Sequence, residues 1–148
     1  MSFVGSQMGQ WARLSAVGLV FVGALAGTSV RWVAEKAWPA VDGGWPWGTF
    51  VVNLAGAFVL GALLEGLARL GSDAGVRRGV RLAVGTGFCG ALTTYSAFVL
   101  EISMLGRGHF YGMAVGYAVV SVVAGVLLAW LGMRIARRVL PLGTVTAQ

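Results

Sequence analysis

The sequence predicts an all-α integral membrane protein with four transmembrane helices, the third of which is broken near its centre. Hydrophobic residues make up 57% of the 148 residues and charged residues only 11%, whereas a soluble domain carries roughly 25% charged residues. Four uncharged stretches are long enough to cross a lipid bilayer, because a spanning helix needs about 17 to 25 residues. The third stretch carries glycine, threonine and serine at its middle, where a membrane helix normally carries apolar residues.

The first two spans are expected at residues 12–32 and 47–68, separated by the turn AEKAWPAVDGG. The first is too long for the apolar core of a signal peptide, which has about 7 to 15 residues. In the second span, Asn53 begins a row with Ala57 and Gly61 at four-residue spacing. Such a row lies on one helix face, and its small residues allow another helix to pack closely.

The third span, expected at residues 82–104, contains the motif GFCGALTTYSAF. Backbone that is not helical is tolerated at membrane depth only where it is buried in protein or lines a watery cavity. A Gly-x-x-Thr-Thr break releases backbone carbonyl oxygens, and converging carbonyl oxygens suit a small hard cation. The motif therefore predicts a helix that is broken around an ion.

The fourth span is expected at residues 110–133, and it carries Tyr117 and Ser121 one helical turn apart. Each polar residue alone is explained by an ordinary interhelical hydrogen bond, which contributes about 0.6 kcal/mol in a membrane protein. Polar residues within the bilayer are nevertheless costly and usually mark a pathway or a site. Together with Asn53 and the polar residues of the third span, they predict a polar track across the bilayer.

The short linkers indicate a single four-helix membrane domain with no room for a soluble catalytic domain. An enzyme is not expected, because the sequence has no P-loop, no metal-ligand cluster and no nucleophile–base set. A small multidrug exporter would need a carboxylate deep in the bilayer. Glu65 and Glu101 instead stand at the ends of their uncharged stretches, which disfavours that alternative.

Basic residues are distributed unequally between the two sides of the four-span arrangement. The side that carries both termini has eight: Arg13, Arg69, Arg77, Arg78, Arg81, Arg134, Arg137 and Arg138. The other side has three: Arg31, Lys36 and Arg107. Because Lys and Arg are enriched on the cytoplasmic side of membrane proteins, both termini are expected in the cytoplasm. The protein is expected to be a multi-pass protein of the inner or plasma membrane.

Motifs in all four spans resemble those of the Fluc/CrcB fluoride channels. The stretches GWPWGTFVVNLAG and GFCGALTTYSAFVLE resemble the specific second- and third-helix motifs, and GALAGTSVRW and GYAVVSVVAG resemble the weaker first and fourth. The resemblance implies a fluoride-specific channel that exports F⁻ passively and so lowers cytoplasmic fluoride. It also implies a dimer of antiparallel four-helix subunits, with a structural Na⁺ at its centre that is not transported.

The resemblance also assigns roles to individual residues. It implies that the backbone carbonyls of Gly90 and Thr93 bind the Na⁺. It implies an anion path lined by Arg31, Asn53, Tyr95, Ser96, Phe98, Tyr117 and Ser121. Aromatic ring edges are positive and side-chain amides and hydroxyls donate hydrogen bonds, so such a path offers a small anion many weak contacts. Tyr95 stands where the family usually has phenylalanine, and Ala97 where it often has threonine or serine.

The partner in the implied dimer is left open between two possibilities. An antiparallel homodimer requires nearly balanced charge at the two membrane faces. The excess of basic residues on one face favours instead a heterodimer with an oppositely oriented relative. In that arrangement the chain could be a non-conducting assembly subunit, an alternative that Tyr95 also favours.

Overall fold

The computed structural model describes residues 2–140 and the side chains of residues 13–140. All regular secondary structure in this range is helical, and four helical segments are long and apolar enough to cross a membrane. These segments are Arg13–Ala37, Trp47–Arg69, Gly75–Arg107 and Tyr111–Val139. The prediction of an all-helical protein with four membrane spans is confirmed.

Three of the spans are single helices, and the third is composite. The single helices are α1 (Ser2–Ala37), α2 (Trp47–Arg69) and α6 (Tyr111–Val139). The third span consists of α3 (Gly75–Val80), a π-helix (Arg81–Cys89), α4 (Gly90–Leu92) and α5 (Tyr95–Arg107).

The third span is interrupted between α4 and α5. Thr93 has φ −81° and ψ 148°, and Thr94 has φ −143° and ψ 122°, so both residues are extended rather than helical. The Thr94 side chain accepts a hydrogen bond from the Ala97 N–H at 3.2 Å, and threonine commonly caps the first turn of a helix in this way. The expected break therefore lies at the Thr-Thr pair.

Glycines bring the backbones of neighbouring spans into close contact. A Cβ atom on Gly61 of α2 would overlap the main chain of Ala129, and one on Gly132 of α6 would overlap that of Phe58. A Cβ on Gly23 of α1 would likewise overlap a main-chain oxygen of the π-helix. Because the obstructing atoms are backbone, a larger residue at these positions would push the helices apart.

Ion pairs join the ends of the spans. Glu65 Oε1 lies 3.1 Å from Arg69 Nε and 3.0 Å from Arg137 Nε, which connects α2 to the end of α6. Asp73 Oδ2 lies 2.7 Å from Arg81 Nη2, which closes the connection between α2 and α3. The hydrogen bond from the Arg81 guanidinium holds the pKa of the Asp73 carboxyl below its usual value.

Candidate functional site

Asn53 braces the break in the third span. Its Nδ2 donates to the carbonyl oxygen of Thr94 at 3.1 Å, and its Oδ1 accepts from the N–H of Thr94 at 2.7 Å. In a continuous α-helix the Thr94 N–H would donate to the carbonyl oxygen of Gly90. One side chain of α2 thus satisfies both backbone groups of Thr94 and leaves Gly90 without its helical donor.

An open cavity of about 270 Å³ lies beside the break. It is lined by Asn53, Leu54, Thr93, Thr94, Tyr95, Phe98, Ser121, Val122 and Gly125. Four of the residues expected on the anion path, Asn53, Tyr95, Phe98 and Ser121, therefore lie together. The buried Ser121 Oγ has no hydrogen-bond partner among the residues that the structure describes. The cavity thus combines apolar walls with a polar group that is available to a ligand.

Aromatic rings continue from this cavity towards the start of α2. Ring centroids are 6.3 Å apart for Tyr95 and Phe98, 5.3 Å for Phe98 and Tyr117, and 5.4 Å for Tyr117 and Trp45. Trp45 also lies 5.2 Å from Phe50, and its contacts with Tyr117 and Phe50 are both edge-on. We call these five rings the aromatic file. Their edges provide positive potential along a surface with few formal charges.

A carboxylate lies at the side of the aromatic file. Glu101 Oε2 accepts a hydrogen bond from the Tyr117 hydroxyl at 2.7 Å, and Glu101 Oε1 accepts one from Thr49 Oγ1 at 2.5 Å. Both donors are buried. Glu101 also lines two further cavities, of about 440 Å³ and 240 Å³. In the described part of the chain no arginine or lysine forms an ion pair with it, so two hydroxyl groups are its hydrogen-bond donors.

Thr49 and Glu101 were not among the predicted site residues, although each has a feature in the sequence that could have identified it. Thr49 precedes Asn53 by four residues, so the two residues lie on the same face of α2. Glu101 is the only acidic residue between Arg81 and Arg107. It lies within the third span because α5 continues to Arg107.

Four of the expected site residues lie outside the cavity beside the break: Tyr117, which belongs to the aromatic file, and Ser96, Gly90 and Arg31. Ser96 is exposed next to the cavity, with its Oγ 3.2 Å from Thr94 Oγ1. Gly90 is exposed on the other side of the break. The Arg31 side chain does not line the cavity and pairs with Glu35, with 3.8 Å between Arg31 Nε and Glu35 Oε1. The structure therefore groups most of the expected residues around the break and the aromatic file but separates Arg31 from them.

The chain is similar to the proteins of one known family. A family model described as CrcB-like protein, Camphor Resistance (CrcB), matches residues 18–133. The fluoride-specific ion channel FluC 1 of Cutibacterium acnes is 50% identical over 114 residues, which cover 77% of this chain and 80% of the relative. The chain belongs to the CrcB/FluC fluoride channel family.

Other relatives extend the match. The fluoride-specific ion channel FluC 2 of Moorella thermoacetica is 45% identical over 114 residues, covering 74% of this chain and 87% of the relative. The fluoride-specific ion channel FluC of Bordetella avium is 44% identical over 115 residues, covering 77% and 86%. Membership of the CrcB/FluC family confirms the resemblance seen in the motifs. With the four spans, it makes the chain a multi-pass membrane protein of a transport family rather than an enzyme, and it decides against a multidrug exporter.

Proposed function

We propose that this chain forms a fluoride-specific channel that conducts F⁻ passively and lowers the cytoplasmic fluoride concentration. The observation that carries the proposal is the cavity beside the break, where Asn53, Ser121 and the rings of Tyr95 and Phe98 line one space. The aromatic file leads from that space to Tyr117 and Glu101. The names of the relatives, which are fluoride-specific ion channels, agree with this assignment.

The residues along this path make weak contacts of different kinds. The Ser121 hydroxyl has no partner within the described part of the chain. Asn53 uses one of its two amide hydrogens on Thr94, which leaves the second for an anion. The ring edges of Tyr95 and Phe98 attract a small anion without a formal charge. Ser96 adds a hydroxyl at the exposed margin of the break. Arg31 lies away from the cavity and is paired with Glu35, so its place on the path rests on the family motif alone. Several weak sites let an ion both enter and leave.

The backbone at the break offers carbonyl oxygens of the kind that bind Na⁺. The Gly90 carbonyl lacks its helical partner because Thr94 N–H donates to Asn53, and the extended Thr93 directs its carbonyl out of the helix. We assign both main-chain oxygens to a structural Na⁺ that supplies positive charge and joins subunits. Thr93→Ser should then be tolerated, since the carbonyl remains. Exchange of Na⁺ for a bulky organic cation should weaken the dimer, and equal stability in both buffers would count against the site.

The exposed residues beside the break support a dimer, and the family resemblance implies that its two subunits are antiparallel. Tyr95 is 79% exposed, and Gly90 and Ser96 are exposed beside it. The hydroxyls of Tyr95 and Ser96 are costly to leave facing lipid, so a second chain covers this surface. The surplus of basic residues on one side favours an oppositely oriented relative as that second chain over an identical copy. The same surplus and the exposed Tyr95 hydroxyl favour the second candidate function, an assembly subunit that does not itself conduct.

Anion efflux from liposomes that contain only this purified protein tests the proposal. Liposomes loaded with fluoride should release it rapidly and to completion, while liposomes loaded with chloride should retain it. Chloride release at a similar rate would reject the fluoride channel. Fluoride release that requires an added, oppositely oriented relative would support the assembly subunit in its place.

A further inference from the structure

Two buried side-chain polar atoms have no hydrogen-bond partner among the described residues, Ser121 Oγ and Trp45 Nε1. Ser121 belongs to the cavity already described. Trp45 stands two residues before the start of α2 at Trp47. A buried N–H without an acceptor is destabilising, and such groups are rare enough to require an explanation.

The Trp45 ring is held in one orientation. It packs edge-on against Tyr117, at 5.4 Å and 85°, and against Phe50, at 5.2 Å and 87°. It also packs against the buried cluster formed by Leu105, Ala114 and Tyr117. The indole N–H is therefore fixed by its neighbours and cannot turn freely to find another acceptor.

The other donors at this end of the aromatic file are already engaged. The Tyr117 hydroxyl and the Thr49 hydroxyl both donate to Glu101, and each hydroxyl has a single proton to donate. An indole nitrogen is a donor only. Trp45 is thus a buried donor in contact with Tyr117 that, among the described residues, is not engaged by Glu101 or by any other acceptor.

We propose that the indole N–H of Trp45 donates to the permeating anion at the end of the aromatic file. The ligand class is a small monovalent anion that accepts strong hydrogen bonds, since the rings around Trp45 are close-packed. This hydrogen bond offsets the repulsion between the anion and the Glu101 carboxylate at this end of the aromatic file. This inference rests on the proposed function, because it concerns the same anion path.

Indole resonances of the wild-type protein test the contact directly. The six tryptophans are labelled with ¹⁵N at the indole nitrogen, and single Trp→Phe variants assign their signals. Titration with NaF should shift the Trp45 signal saturably, and NaCl at equal ionic strength should not. Trp130, which is 49% exposed and has no ring contact with Trp45 in the described structure, provides the internal control and should not shift. A Trp45 signal that does not respond to fluoride in protein that conducts fluoride would overturn the inference.

Substitution then measures the effect on conduction. Trp45→Phe keeps an aromatic ring and removes the donor, so the half-saturating fluoride concentration should rise about three- to tenfold. Trp130→Phe, the same substitution at an exposed position of α6 away from the aromatic file, is the matched control and should behave as wild type. An unchanged concentration dependence in folded Trp45→Phe would also overturn the inference. If this variant does not fold, the wild-type titration decides. Failure of the wild-type protein to conduct, with a fluoride-dependent Trp45 shift, would reject the proposed function and leave a fluoride-binding site.

Discussion

Asn53 controls the local geometry of the site at the scale of a single residue. The sequence analysis expected its amide to contact the anion, and the structure adds that both ends of the amide bind the backbone of Thr94. This second role could not be predicted from the sequence, because it depends on how closely α2 approaches the break. The position of Asn53 on the polar face of the second span could be predicted from its spacing to Ala57 and Gly61.

Asn53→Asp should abolish fluoride flux. Aspartate still accepts the Thr94 N–H, but it places an oxygen against the Thr94 carbonyl and adds a negative charge beside the path. Two like charges about 4 Å apart repel by about 4 kcal/mol at an effective dielectric constant near 20, which slows passage by more than about 100-fold. A fluoride electrode measures efflux at neutral pH, and gel filtration provides the folding control. Efflux at the wild-type rate would remove Asn53 from the path.

Tyr95→Phe should leave fluoride flux unchanged or raise it. The Tyr95 ring contacts Phe98 at 6.3 Å, and its hydroxyl has no hydrogen bond within the described chain, so the substitution keeps the ring and removes only an unpartnered group. The same efflux assay compares the two proteins at equal protein-to-lipid ratio. Loss of flux would mean that the hydroxyl itself donates to the anion or to the second chain.

At the scale of elements, helix packing depends on where glycines meet backbone. The sequence analysis expected Gly61 in a packing row of α2, and a Cβ there would indeed overlap α6. The π-helix of Arg81–Cys89 was not expected, because its hydrophobic pattern does not differ from that of an α-helix over so short a stretch. The Thr-Thr break could be predicted because glycine and hydroxyl-bearing residues replace apolar ones at membrane depth.

Gly132→Ala should destabilise the protein by about 1 to 3 kcal/mol, as overpacking does in closely packed cores. The added Cβ meets the main chain of Phe58, which cannot move without shifting α2. Gly18→Ala is the matched control, because no atom lies within 4 Å of its added Cβ. Thermal unfolding in detergent measures both variants. An equal effect of the two substitutions would show that the contact between α2 and α6 is not limiting.

The ion pair between Asp73 and Arg81 should make the stability of the fold depend on pH in the acid range. Because the folded pKa of Asp73 is lowered, the ion pair stabilises the fold above the ordinary aspartate pKa of about 3.9. That contribution is lost as the pH falls through the lowered folded value. Wild type should therefore be more stable than Asp73→Asn at neutral pH, and the difference should disappear once the pH has fallen below the lowered folded pKa. Asp42→Asn, which removes no described ion pair, should show no such difference. A difference that persisted unchanged in strong acid would exclude the ion pair as its cause.

At the scale of the whole molecule, composition alone was sufficient to predict a four-span membrane protein. Long uncharged stretches leave few alternatives, because backbone groups in lipid must be satisfied within helices. The polar residues alone predicted that Asn53 and Ser121 belong to one track across the bilayer, whereas the place of Phe98 beside them was predicted only through the family motifs. The engagement of Thr49 and Tyr117 by Glu101 required the packed structure. The second chain of the dimer is expected from the exposed break.

The reversal potential of the current that this purified protein carries across a planar bilayer tests the central claim most directly. With a tenfold fluoride gradient, equal chloride and equal pH on both sides, passive fluoride conduction predicts a reversal potential of about 59 mV. Its sign should invert when the gradient is inverted. An added chloride or pH gradient should leave the value unchanged. A reversal potential near zero in the fluoride gradient, or one that follows chloride or pH, would contradict a fluoride-specific passive channel.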